Sequence, residues 1–156
     1  VVGARLTKKI LKGLKYENKT IEDIALLVEQ HLRPHTFKMG WTDSAVRRYI
    51  VDAGHMLEDL NELVRADVTT KNKIKAKEIY ENLDEMEKRI EEVKAKEELS
   101  KIRPALSGDE IMEHFNIQPG PKVGVIMKAL YEQRINDGEV SKEDALKLAE
   151  ETYKNL

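Results

Sequence analysis

Three features of the sequence predict an all-α fold. Apolar residues recur every three or four positions, no stretch alternates apolar and polar residues as a strand would, and the run from Lys71 to Ser100 contains neither glycine nor proline. About seven helices are expected, in two helical clusters joined by that long run, with no sheet. The 156 residues suffice for a core of modest size, and with aromatics at 5% it must be built mainly from Leu, Ile, Val, Ala and Met.

Taken in order, Val2, Leu6, Ile10 and Leu14 step along one face of a first helix that ends near Gly13. Thr20 with Asp23 reads as a capping pair for a second, whose apolar face carries Ile21, Ile24, Ala25, Leu27, Val28, His31 and Leu32. Pro34 stops it near Arg33, because proline disfavours helical geometry in the residue before it and donates no amide hydrogen bond. Thr42 is the expected cap of a third helix with Ala45, Val46, Tyr49 and Ile50 inward, ended by Gly54. A fourth carries Met56, Leu57, Leu60, Leu63 and Val64.

The long helix from Lys71 to Ser100 buries a narrow stripe of Ile79, Leu83, Met86, Ile90 and Val93 and acts as a spacer. Ser107 and Glu110 form a capping box ahead of Ile111, Met112 and Phe115. Pro121 suits the first position of the next helix, with Val123, Ile126, Met127 and Leu130, and Ser141 with Asp144 opens the last. Residues 1–40, 41–100 and 101–156 are the expected divisions.

Charged residues make up 36% of the chain with a net charge of −2, which argues against a globally basic nucleic-acid binder. The charge is uneven: +5 over residues 1–50, −5 over 51–100 and −2 over 101–156, so a polyanion should prefer the first third. The absence of cysteine excludes disulfides and thiolate metal sites. No apolar run approaches the ~20 residues that span a bilayer, and a cytoplasmic location is the expectation. The opening VVGARL, without Met and already in helical register, reads as a piece of a longer polypeptide.

The stretch EQHLRPHTFKMGWTDSAVRR holds two histidines and the sole tryptophan. His31 and His35 have metal-gripping spacing on a helix, but Pro34 breaks the geometry, so His31 is expected to pack at a helix end and His35 to lie in a connecting loop. His55 and His114 have no metal-ligand partners in the pattern, and Ser44, Ser100, Ser107 and Ser141 lack a nucleophile elbow. The carboxylates of the long helix read as a solvated face. No catalytic residue and no metal ligand is predicted, and the chain alone is expected to be inactive.

Five of residues 65–77 are basic against one acid, and Arg47, Arg48, Arg65, Lys71, Lys73 and Lys75 gather around helix junctions where phosphates of an RNA backbone can be held. The competing reading is that lysine stems cover apolar surface there. In NIQPGPKVGVIM, a glycine-containing turn opens a helix with free amides, Lys122 adds positive charge, and Gly124 would permit a close approach.

WTDSAVRRYIVDAG, RADVTTKNK, the long charged helix and RPALSGDEIMEHFNIQPGPKVG, in this order, are similar to the C-terminal part of bacterial CCA tRNA nucleotidyltransferases of the poly(A) polymerase family. The resemblance covers nearly the whole chain, and the SGDEIM and PGPKVG blocks in tandem are its specific part. VVGARL through LVEQHL looks like the second half of an HD-type helical domain. What the resemblance implies is a body and tail that hold tRNA, with Arg47, Arg48, Arg65, Lys71 and Lys73 as body contacts and Lys122 in the tail. It also implies a separate N-terminal head and neck in the same polypeptide, which would use Mg2+ with ATP and CTP to complete tRNA 3′ ends or to make A-tails. No cofactor is implied for this chain. Two other readings stand beside it: a helical interaction module in which the long helix pairs with a second copy, and a fragment of an HD-domain phosphohydrolase, disfavoured because the His-Asp metal motif is missing.

Overall fold

A computed structural model of the chain describes residues 2–97 and 103–156. Among them are eight α-helices, two 3-10 segments and no strand, which is the all-α class the sequence predicts. Residues 98–100, the expected end of the long helix and the site of Ser100, lie outside the described residues. The chain divides into two compact units, Val1–Thr42 with Tyr49–Glu92, and Asp43–Arg48 with Val93–Leu156.

In the first unit, α1 (Val2–Gly13) packs along α2 (Asn18–Gln30). The row Ala4, Thr7 and Leu11 is the covered one, with Ala4 buried. Small residues set the contact: a Cβ placed on Gly3 would stand 3.1 Å from Val28 Cγ1. The more apolar row of Val2, Leu6, Ile10 and Leu14 therefore faces solvent, each residue at least 51% exposed. The expected cap of α2 also shifts. The N-cap is Glu17, without a side-chain cap bond, and Thr20 lies inside the first turn with its hydroxyl donating to Glu17 Oε1 at 3.1 Å. Asp23 is engaged instead by Lys19 at 2.8 Å, whose hydrogen bond holds its carboxyl below the ordinary range.

Beyond α2 the chain tightens into a 3-10 segment, Arg33–Met39, with Pro34 in its first turn, where a missing amide donor is harmless. This places His35 in the segment rather than in an irregular loop, and leaves Leu32 exposed. From α3 (Asp43–Ala53), Tyr49, Ile50 and Ala53 are buried in this unit. Gly54, at φ 53°, turns the chain through a short 3-10 segment into α4 (Leu57–Ala66), which buries Leu57, Leu60 and Val64. Leu63 lies at the margin of that face and is exposed. Within α5 (Lys73–Glu97), Leu83, Met86 and Ile90 are buried, as the periodicity predicts.

The second unit is built on α6 (Gly108–Phe115), α7 (Pro121–Asp137) and α8 (Lys142–Lys154). Leu106, Ile111, Ile126 and Leu130 close over Ala145 and Ala149, and Phe115 stacks on Tyr153 at 4.5 Å. The Ser107–Glu110 capping box is complete, Pro121 stands at the start of α7, and the Ser141 hydroxyl accepts from the Asp144 amide at 3.1 Å. Gly124 does not serve a close approach, since a Cβ there would meet nothing within 4 Å.

Candidate nucleic-acid interface

The predicted basic residues separate into two kinds. Arg47 is buried, and its guanidinium donates to the carbonyl oxygens of Ile135 and of Asn136, the latter at 2.9 Å, within the second unit. Those are last-turn carbonyls of α7, which have no partner inside the helix and carry the negative end of its dipole. The next residue of α3, Arg48, grips Glu132 of α7, whose carboxyl is held below its ordinary range by that hydrogen bond. In the first unit, Arg65 in the last turn of α4 forks onto Glu87 and reaches Asp84 at 2.5 Å, and these bonds raise its already high pKa further.

Lys71 and Lys73 are exposed at the entrance to α5, together with Lys75 and Lys77. Local sequence builds this entrance. Asn72 Oδ1 accepts from the amides of Ile74 at 3.0 Å and Lys75 at 3.2 Å, and the Thr70 hydroxyl oxygen accepts from the Asn72 amide at 3.3 Å. No acidic residue occupies the first turn, so the lysines crowd the positive end of a helix of 25 residues. That arrangement is unfavourable in isolation, and an anion held there would relieve it. Lys122, in the second unit, stands over the Tyr153 ring at 5.2 Å.

Beside this entrance the 3-10 segment and α5 enclose two adjoining hollows that share Lys38 and Asn82. The smaller, about 260 Å³, is lined by His35, Lys38 and Lys75 over Pro34, Ile79 and Leu83. The larger, about 430 Å³, adds Phe37 and Trp41 with Glu85, Lys88, Arg89 and Glu92. Trp41 is fixed on several sides: its indole N–H donates to the Thr36 hydroxyl at 3.0 Å, Phe37 meets it edge-on at 5.7 Å, Tyr49 lies at 5.3 Å and the Arg33 guanidinium at 5.8 Å. Arg33 is itself held by Asp52 at 2.6 Å. Buried Tyr49, whose hydroxyl donates to Asn61 at 2.9 Å, has its pKa raised by burial. Sequence reasoning gave no role to Lys38, Trp41 or Asn82; the lone tryptophan two residues after Met39 in a lysine-containing stretch was the available signal.

The histidines serve local contacts. His31 Nδ1 lies 2.9 Å from the Val28 carbonyl, His55 meets Asp23 at 2.9 Å, and His114 meets Glu150 at 3.2 Å. Among the described residues no group of three or more His, Cys, Asp or Glu is disposed to hold a metal ion, and no step through one is assigned to them. No described helix is long and apolar enough to cross a membrane.

A family model described as tRNA nucleotidyltransferase domain 2, putative, matches residues 3–149. The CC-adding tRNA nucleotidyltransferase of Thermus thermophilus is 33% identical over 144 residues, covering 92% of this chain and 31% of that protein. The A-adding tRNA nucleotidyltransferase of Deinococcus radiodurans is 30% identical over 135 residues, covering 85% of this chain and 30% of that protein. The chain thus spans about a third of the length of these curated relatives. No solved structure matches it.

Proposed function

The chain belongs to the tRNA nucleotidyltransferase domain 2 family, and we propose that it is the C-terminal, tRNA-holding portion of a tRNA nucleotidyltransferase, while a separate head and neck of the same polypeptide carry out metal-dependent transfer from CTP or ATP. In this reading α1 and α2 close an HD-like helical domain, and the remaining helices hold the tRNA so that its 3′ end reaches the head. One of the two relatives is a CC-adding and the other an A-adding tRNA nucleotidyltransferase, yet both align with this region at nearly equal identity. That supports a role for the region in what the two share, the tRNA, rather than in the choice of nucleotide.

The observation that carries the proposal is the lysine-rich entrance to α5. Lys71, Lys73 and Lys75 present exposed ammonium groups at the positive end of a long helix. Such groups suit the phosphates of an RNA duplex, whose deep major groove hides its base edges and leaves backbone and shape to be read. Arg65 would support this surface through its contacts with α5, while Arg47 and Arg48 would brace the second unit, where Lys122 would add a contact of its own.

The test is a salt series of tRNA binding to the wild-type chain and to a Lys71→Ala, Lys73→Ala double variant. Each lost phosphate contact should lower the slope of log affinity against log salt by about one on a duplex, with little change in preference among tRNAs. Absence of tRNA binding at low salt would overturn the proposal. A second reading, an interaction module pairing with a second copy, has the exposed row Val2, Leu6, Ile10 and Leu14 in its favour; the stripe of α5 is buried and does not offer that surface. Concentration-dependent dimerisation by sedimentation, without tRNA binding, would favour it.

A further inference from the structure

We infer that the paired hollows between the 3-10 segment and α5 hold one unpaired nucleotide of an RNA strand, its phosphate against Lys38 and Lys75 and its base beside Trp41 and Asn82. The inference rests on the tRNA-holding reading and adds to it a site for a base outside the duplex.

The two hollows differ in chemistry in the way the two ends of a nucleotide do. Around the smaller one stand His35, Lys38 and Lys75 with no carboxylate, a setting that attracts phosphate. Around the larger one, Phe37 and Trp41 supply the aromatic surface that the smaller lacks, and the carboxylates of Glu85 and Glu92 stand among Lys38, Lys88 and Arg89, with Glu92 paired to Arg89 at 3.0 Å. Carboxylates are no obstacle to a base, because they accept hydrogen bonds from exocyclic amino groups. At about 430 Å³ the larger hollow is within the size range of small-molecule sites. An unstacked base gains most from an aromatic partner already held in place, and Trp41 is so held by Thr36, Phe37, Tyr49 and Arg33.

Asn82 stands where the hollows meet and gives the site a preference. Its amide nitrogen gives one of its two hydrogens to the Glu78 carbonyl at 2.7 Å, which fixes the orientation of the group and leaves Oδ1 as an acceptor. With Asn82 Oδ1 and the Glu85 carboxylate both accepting, a base that presents an amino group, adenine or cytosine, is favoured over uracil.

Trp41 is the single tryptophan of the chain, so its fluorescence reports on this site alone. The wild-type chain is titrated with single-stranded oligoadenylate and oligouridylate of equal length, and with tRNA in parallel. The expected result is saturable quenching that is tighter for oligoadenylate. In a Lys38→Ala, Lys75→Ala variant the midpoint should rise about fivefold or more, as for loss of charge-assisted phosphate contacts. In Asn82→Ala, the two oligonucleotides should become nearly equal while quenching persists; circular dichroism checks that both variants are folded. No quenching by either oligonucleotide, with salt-dependent tRNA binding intact, overturns this site and leaves the tRNA-holding reading standing. Loss of both kinds of binding overturns the two together. Equal quenching by both oligonucleotides in the wild type overturns the assignment of Asn82.

Discussion

Arg65 holds Glu87 through two parallel hydrogen bonds, Nε to Oε1 at 2.9 Å and Nη2 to Oε2 at 2.7 Å, which tie the last turn of α4 to the middle of α5. The fork geometry makes the pair stronger than a single contact, but both side chains are about one-third exposed, so solvent screening limits its worth. Arg65→Ala should lower stability by about 1 kcal/mol in urea titrations. Arg65→Lys should recover only part of the loss, because an ammonium cannot make two parallel bonds. The salt slope of tRNA binding should be unaltered in either variant.

Arg47 is the more consequential arginine. Its removal would leave the last-turn carbonyls of α7 without the donor that satisfies them, within a buried contact. Arg47→Ala should therefore destabilise the second unit by about 2–3 kcal/mol or more. Arg47→Met, which keeps the stem but not the donors, should recover the packing part only. Denaturant unfolding of the three proteins measures both. Equal stability of wild type and Arg47→Ala would return this residue to a surface role.

Leu83 and Glu92 test the phase of α5. Leu83 is 3% exposed, and Leu83→Ala should cost ~2–5 kcal/mol through lost transfer energy and a cavity. Glu92 makes one i,i+3 contact, with Arg89 at 3.0 Å, and its replacement by Ala should change stability by about 0.5 kcal/mol or less. Equally mild effects in denaturant titrations would mean that the buried face of this helix has been misassigned.

The parts of the fold that were legible in the sequence are those decided within a turn or two. The Ser107–Glu110 box, Pro121 at the head of α7 and the Leu83, Met86, Ile90 stripe all follow from local chemistry or from helical period. Two local readings failed for a reason that period cannot supply. Thr20 lost the cap to Glu17, and the apolar row of α1 turned outward because the small residues Gly3 and Ala4 allow closer contact with α2. The protein partners of the arginines were not legible, because they are remote in sequence: Arg47 and Ile135 are 88 positions apart, Arg48 and Glu132 84, and Arg65 and Glu87 22. The hollows were hidden likewise, since residues 34–41 and 75–92 meet only in the fold.

Glu110 gives the second unit a defined acid sensitivity. Its carboxylate accepts from the Lys142 ammonium at 2.7 Å and from the Ser107 amide at 2.7 Å, and these bonds, Lys142 first, lower its pKa from 4.5 to about 2. A carboxyl group with a lowered pKa in the folded state binds fewer protons than in the unfolded chain. Its contribution is therefore complete above the unfolded value of 4.5 and is lost as pH falls through the folded value of about 2. Asp144, lowered by Lys147 and Ser141, and Glu132, lowered by Arg48, act in the same direction, so the share of Glu110 must be isolated by substitution. Glu110→Gln keeps an acceptor for the Ser107 amide and removes only the titrating charge. Thermal midpoints of wild type and variant should differ by a constant amount from neutral pH down to about pH 5, and converge as pH approaches about 2. Because the group is solvent-exposed, the plateau difference should be small and should shrink further in high salt. A difference that is independent of pH across this window would show that the capping geometry, and not the charge of Glu110, is what stabilises the start of α6.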